Sequence, residues 1–134
     1  MSTDHPNIER VRTGFEAFSR GDLSVLDELI DDDVVWHQPG DNSISGDYTG
    51  KEELLRLFVR IFEMTEGTMQ TLIRGVWADD EYAMVLTRTV ATRFGREQTD
   101  TVANIFRLSP EGRLTRVQRE MIATAVSRAN GCHY

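Results

Sequence analysis

The hydrophobic positions of the chain change from a helical spacing to a strand spacing near Met69. Before that point, apolar residues recur mainly at intervals of three and four, the period of an amphipathic α-helix. From Met69 onward they recur at every second position, with turn signals between the runs, which is typical of antiparallel strands. The pattern therefore predicts an α+β arrangement in which helices come first and most of the sheet follows.

Two helices are predicted ahead of the acidic run at 31–33. The first extends from about residue 4 or 7 to residue 20, and Gly21 ends it. The second follows Asp22, whose side chain suits the N-cap position. Three consecutive aspartates cannot all face one cation without the spacing of an EF-hand loop, so we expect a solvated turn there.

A short strand at 34–38 is predicted next, and a polar loop connects it to a third helix. This helix begins near Thr49, because Thr49 and Glu52 match a capping box, in which two side chains satisfy free backbone N–H groups. Four further strands are predicted, at roughly 69–78, 82–93, 97–109 and 113–123. Short turns make neighbouring strands antiparallel, so we expect a curved sheet that encloses a pocket against the three helices.

The composition fits a single folded domain over residues 1–134, with 40% hydrophobic and 28% charged residues. The net charge of -7 opposes binding to nucleic acid or to an anionic membrane surface. No stretch approaches the apolar length of a membrane span. Cys132 is the only cysteine, so no internal disulfide can form and we expect a cytoplasmic protein.

Two polar residues are predicted on the inner face of the sheet. In the strand at 82–93 the even positions carry the bulkier side chains, which places Arg88 among core residues. Since a bare buried charge costs several kcal/mol, Arg88 needs an internal salt bridge, a side-chain end that reaches the rim, or an anionic ligand. Asn104 shares a face with core residues, so its amide binds either a neighbour's backbone or a ligand. The opposite face, with Val85 and Ile105, is apolar enough for a homodimer contact.

The strand at 34–38 carries the remaining candidate chemistry. Alternation makes Trp36 and Gln38 point one way and His37 the other, and we favour Trp36 and Gln38 inward. His37 is a candidate general base, because imidazole titrates near neutral pH. The three histidines, His5, His37 and His133, lack metal-ligand spacing, so no metal site is expected. The chain also lacks a Gly-rich phosphate loop, and no other cofactor is expected.

Three segments together resemble the SnoaL-like group of the NTF2-like superfamily: FEAFSRGDLSVLDELIDDDVVWHQPG, GDYTGKEELLRLF and NIFRLSPEGRLTRV. That α+β cone fold also includes ketosteroid isomerase, and the resemblance extends from about Ile8 to Met121. It implies a small-molecule pocket, in which Val117 and Met121 match apolar pocket positions of the last strand. Ordinary core packing is the alternative for those two residues. Tyr48, in the loop at the mouth, would close over a ligand.

The acidic residues of the family are replaced in this chain. The aspartate base of ketosteroid isomerase corresponds to Gln38, and its oxyanion-binding tyrosine and acid correspond to Gly14 and Asn104. The aspartate base of the SnoaL-type polyketide cyclase also falls on Asn104. An amide can donate to an oxyanion but cannot act as a base.

The resemblance leaves three functions open. The first is a cofactor-free isomerase, cyclase or dehydratase, acting with His37 on a partly apolar carbonyl or carboxylate compound. The second is a binder without catalysis. The third is an interaction module that uses the outer face of the sheet.

Overall fold

The computed structural model of the chain describes residues 1–122. Its elements in chain order are α1 (Pro6–Arg20), α2 (Leu23–Leu29), β1 (Ile30–Gln38), β2 (Gly46–Thr49), α3 (Lys51–Met64), β3 (Gln70–Ala78), β4 (Tyr82–Arg93), β5 (Arg96–Leu108) and β6 (Leu114–Met121). The predicted strand end at residue 123, together with Cys132 and His133, lies outside the described residues. Among the helices of residues 1–122, none is both long and apolar enough to cross a membrane.

The six strands form one curved sheet in the order β2-β1-β6-β5-β4-β3. Neighbouring strands are antiparallel except β1 and β6, which are parallel. The register shifts once in the β1–β6, β3–β4 and β5–β6 pairs, and such irregularities bend and twist a sheet. The predicted α+β architecture, with three helices against a mostly antiparallel sheet, is confirmed.

The core lies between the helices and the inner face of the sheet. Phe18 of α1 stacks on Phe62 of α3 with ring centroids 4.9 Å apart, and meets Phe58 edge to face at 5.1 Å. Phe58 in turn contacts Trp36 of β1 at 5.2 Å, also edge to face. Aromatic contacts of this kind add to the stability gained by burial. They join α1, α3 and β1 into one packed unit.

The helix ends confirm one capping prediction and contradict another. Asp22 caps α2 by accepting a hydrogen bond from the backbone N–H of Val25 at 3.3 Å, as expected. The predicted Thr49–Glu52 capping box is wrong, because α3 begins after Gly50, which has φ +92° and provides no side-chain cap. Thr49 instead ends β2 and pairs with Val35, so the sheet fixes its backbone.

The acidic run lies on β1 and not in a turn, because this strand already begins at Ile30. The charge there is partly balanced by Lys51, whose Nζ lies 3.1 Å from Asp32 and 3.4 Å from Asp27. Asp32 and Asp33 are exposed, as expected for solvated carboxylates. The short strand β2, which pairs with β1, was not predicted from the sequence.

Candidate ligand-binding site

A cavity lies between the three helices and the inner face of the sheet. The space open to the centres of water-sized molecules is about 100 Å³, and the whole empty volume, including its open side, is about 830 Å³. One water molecule needs roughly 10–15 Å³ of the space counted in the smaller of these two volumes. The cavity therefore holds several waters or a small organic molecule. Its apolar lining consists of Val11, Phe15, Phe18, Leu26, Leu29, Ile30, Trp36, Phe58, Ile61, Met69, Phe106, Leu108 and Leu114. Apolar walls with few polar groups are usual in small-molecule sites.

Two arginines line the cavity: the exposed Arg10 of α1, and Arg119 of β6, which forms its polar centre. Its Nε donates to Oδ1 of Asn104 at 3.0 Å, and its Nη1 donates to Oε1 of Gln38 at 3.0 Å. The same Gln38 oxygen accepts from Nε1 of Trp36 at 3.0 Å, and the guanidinium lies 5.7 Å from the Trp36 ring. Three strands therefore hold one guanidinium in a fixed orientation.

Asn104 is 2% exposed and its amide is fully engaged. Nδ2 donates to the backbone oxygen of Val85 at 3.0 Å and to Oγ1 of Thr87 at 3.1 Å. Because these acceptors fix the amide nitrogen, the carbonyl oxygen must face Arg119. The predicted inner placement of Asn104 is confirmed, and its bonding partners are protein groups.

Burial lowers the pKa of Arg119 to about 10, although the nearby charge of Asp100 acts in the opposite direction. A shift of that size corresponds to roughly 3 kcal/mol, and the group remains protonated at neutral pH. Within residues 1–122, Arg119 makes no salt bridge with a carboxylate. The cavity therefore holds a cation whose hydrogen-bond partners in that part of the chain are neutral.

The prediction that Arg88 faces the cavity is wrong, since Arg88 is exposed on the outer face. A two-residue turn pairs Arg93 with Arg96, and this register sets Val85 opposite Asn104. Directly opposite residues share a face, so an inward Asn104 requires the odd positions of β4 to be inward too. The sequence contained a signal for the correct arginine, because Arg119 alternates in phase with Val117.

His37 lies on the outer side of β1, as alternation predicted. Its Nδ1 is 2.7 Å from Oδ1 of Asp47, and its side chain is 38% exposed. His37 does not line the cavity, whereas Trp36 of the same strand does. His37 therefore cannot act as a base inside this cavity, and the prediction that it is the general base of the pocket is wrong.

The other predicted site residues lie around the cavity without lining it. Val117 is 1% exposed and belongs to the core, which was the alternative expectation. Met121 is half-buried and pairs with Val102. Tyr48 lies on β2, where its hydroxyl donates to the backbone oxygen of Ile44 at 2.7 Å. This hydrogen bond ties Tyr48 to the loop that precedes β2. The predicted position of Tyr48 within that loop is wrong, because Tyr48 pairs with β1 in the sheet.

The inner face carries two further polar residues that were not predicted from the sequence, Thr89 and Asp100. Thr89 lines the cavity, and Asp100 lies directly opposite it on β5. Burial raises the pKa of Asp100, while the charge of Arg119 lowers it by a smaller amount. Asp100 has the same parity as Asn104, which is the signal that could have revealed it.

Three helices against a curved sheet, with a cavity between them, define the NTF2-like class of fold. Within this class the model of the SnoaL-like domain matches residues 11–117, and the chain belongs to that family. The predicted resemblance is confirmed.

Individual relatives agree with this assignment. The uncharacterised protein Rv0034 of Mycobacterium tuberculosis is 28% identical over 116 residues, which cover 86% of this chain and 88% of the relative. The structure of Bal32a, from a soil-derived mobile gene cassette, is 32% identical with a TM-score of 0.81, covering 86% of this chain and 88% of Bal32a. IdmH of Streptomyces antibioticus, a proposed polyketide cyclase, is 21% identical with a TM-score of 0.74, covering 95% and 99%.

Proposed function

We propose that this chain is a cytoplasmic protein that binds a small, partly apolar organic compound through a carboxylate or a polarised carbonyl oxygen. The observation that carries the proposal is the guanidinium of Arg119, which lies in an apolar cavity with neutral partners in residues 1–122. Arg119 is the residue expected to contact the ligand oxygen. The single cysteine of the sequence supports the proposed cytoplasmic location, because no internal disulfide can form.

The energetics of Arg119 favour an anionic ligand. Removing the guanidinium from water destabilises the fold, as its lowered pKa indicates, and a bound carboxylate would offset this loss. A guanidinium has five N–H donors, of which the amide oxygens of Asn104 and Gln38 use two. Bidentate hydrogen bonding to a carboxylate remains available in the described part of the chain.

We further propose that the protein catalyses a reaction of the bound compound. A fixed cation in an apolar cavity stabilises negative charge that develops on a ligand oxygen, as in enolate formation. The likeness to IdmH, a proposed polyketide cyclase, supports chemistry of the cyclase type. Such chemistry also needs a proton acceptor, a role for which the exposed His37 on the outer side of β1 is not suited.

Binding can be tested with 2-naphthoate and its neutral analogue 2-naphthamide, by isothermal titration calorimetry. We expect the carboxylate to bind about tenfold tighter than the amide, the usual difference for a charge-assisted hydrogen bond. Arg119→Leu should abolish this preference. The matched control is Arg88→Leu, which removes an exposed arginine from the outer face and should leave it intact. Equal binding of 2-naphthoate to the wild type and Arg119→Leu would refute the proposal.

A homodimer through the outer sheet face is a second proposal, supported by a row of exposed apolar side chains. Trp77, Met84 and Ile105 lie side by side in register and are 41%, 43% and 39% exposed. Apolar patches on a sheet favour association. Sedimentation of the wild type should give a dimer mass and Met84→Lys a monomer mass. A monomeric wild type would exclude the dimer.

A further inference from the structure

We propose a second polar subsite at the end of the cavity, where Thr89 lines the wall and Asp100, its cross-strand partner, lies beside it outside the lining. This subsite accepts a hydrogen bond from a ligand hydroxyl. The ligand class is then a hydroxylated aromatic or polycyclic compound whose other end carries the carboxylate or carbonyl oxygen. This inference rests on the proposed function, because Arg119 is taken to hold that other end.

Thr89 is the first element of the subsite. Its side chain lines the cavity, the residue is only 9% exposed, and Oγ1 has no hydrogen-bond partner within residues 1–122. Thr87, two residues away on the same face, differs: its Oγ1 donates to the backbone oxygen of Val102 and accepts from Asn104. A buried hydroxyl without a partner costs about 1–3 kcal/mol. Thr89 is therefore a polar group that a ligand can satisfy.

Asp100 is the second element. It pairs directly with Thr89 across β4 and β5, so the two side chains share the inner face with Cβ atoms about 5 Å apart. The carboxylate is half-buried and makes no hydrogen bond or salt bridge with residues 1–122. Burial raises its pKa, and Arg119 is the charged group that opposes this shift. An ionised carboxylate is purely an acceptor, which selects a ligand donor.

The spacing of the two subsites defines the shape of the ligand. Asp100 and Asn104 are four residues apart on one face of β5, which corresponds to about 13 Å between their Cα atoms. The inward residue between them is Val102, which is buried and apolar. A guest that spans this distance needs polar ends and a flat apolar middle, as fused rings provide.

The experiment compares 2-naphthoate with 6-hydroxy-2-naphthoate by calorimetry. The two compounds differ by one hydroxyl at the end opposite the carboxylate. We expect the hydroxylated compound to bind the wild type about tenfold tighter, the gain from one hydrogen bond to a charged acceptor. The Asp100→Ala variant should bind the two compounds equally. It should bind 2-naphthoate at least as tightly as the wild type does, because a negative charge that repels the ligand carboxylate is lost. Thr89→Val, which preserves side-chain shape, should reduce the gain.

Glu97→Ala is the matched control, since Glu97 is an exposed carboxylate of opposite parity on the same strand. It should keep the full preference for the hydroxylated compound. Equal affinity of the wild type for both compounds, or an unchanged preference in Asp100→Ala, would overturn the subsite and leave the role of Arg119 standing. Failure of both compounds to bind the wild type would overturn the subsite and the proposed function together.

Discussion

Nε of Arg119 and Oδ1 of Asn104 lie 3.0 Å apart, and this hydrogen bond links the two central strands of the sheet at the cavity wall. The amide nitrogen of Asn104 is already held by Val85 and Thr87, so its oxygen cannot turn away from the guanidinium. The position of the cavity cation thus depends on an uncharged neighbour. A neutral neighbour leaves the positive charge available to a ligand.

Replacing Asn104 by aspartate should therefore remove anion binding. A carboxylate at this position would pair with Arg119 and occupy the charge that the ligand needs. We expect the affinity for 2-naphthoate to fall at least tenfold, measured by calorimetry on protein shown to be folded by circular dichroism. Retained affinity would mean that Arg119 is not the group that contacts the carboxylate.

Asp100→Asn should stabilise the protein at neutral pH and leave its stability unchanged in acid. The pKa of Asp100 is raised on folding above its ordinary value of 3.8, because burial disfavours the charge more than Arg119 favours it. The folded state then binds the proton more tightly, so the wild type loses stability as pH rises through the raised pKa. Urea unfolding at pH 7 and below pH 3.8 checks this. An equal difference at both pH values would contradict the assignment.

Gly14→Ala should stabilise α1 by about 0.5–1 kcal/mol, since glycine inside a helix is unfavourable relative to alanine. An added Cβ would have its nearest neighbour, Cδ1 of Leu29, at 3.8 Å, an ordinary contact distance. Gly112→Ala gives the contrast, because φ is +81° there and a Cβ would clash with the guanidinium of Arg10. Thermal unfolding should show a gain for the first variant and a loss for the second. A loss in Gly14→Ala would point to strain in α1.

Phe94→Asn should increase the free energy of unfolding by about 0.5–1 kcal/mol. Phe94 and Gly95 have φ values of +53° and +73°, as in a type I′ turn, where asparagine is far better tolerated than phenylalanine. The ring is 86% exposed, and its contact with the Arg93 guanidinium, 5.1 Å from the ring centroid, opposes the gain. Urea unfolding measures the difference, and a decrease would mean that this contact dominates.

Local patterns predicted the elements well, because helical and strand periodicities depend on neighbours within one segment. The N-cap at Asp22 and the helix end at Gly21 were read correctly for that reason. The capping box at Thr49 and Glu52 failed, because Thr49 pairs with Val35 in the sheet. Pairing between strands overrides a local preference of about 1 kcal/mol.

Strand β4 shows why alternation alone cannot identify which face of a strand points to the cavity. Both faces of this strand carry apolar residues, and the larger side chains at even positions predicted that Arg88 points inward. In the structure, Thr87 and Thr89 line the cavity instead. The turn that pairs Arg93 with Arg96 resolves the choice once Asn104 is inward. Two strands read together would have identified the correct face.

The sequence by itself determined the α+β class, the three helices and the apolar walls of a pocket, because these follow from periodicity and burial. Only the tertiary structure decided which arginine of the sheet enters that pocket. Arg119 meets Gln38, which lies 81 positions earlier, because β1 and β6 are parallel neighbours. Such a pairing is set by the packing of the whole sheet, and no segment of the chain encodes it alone.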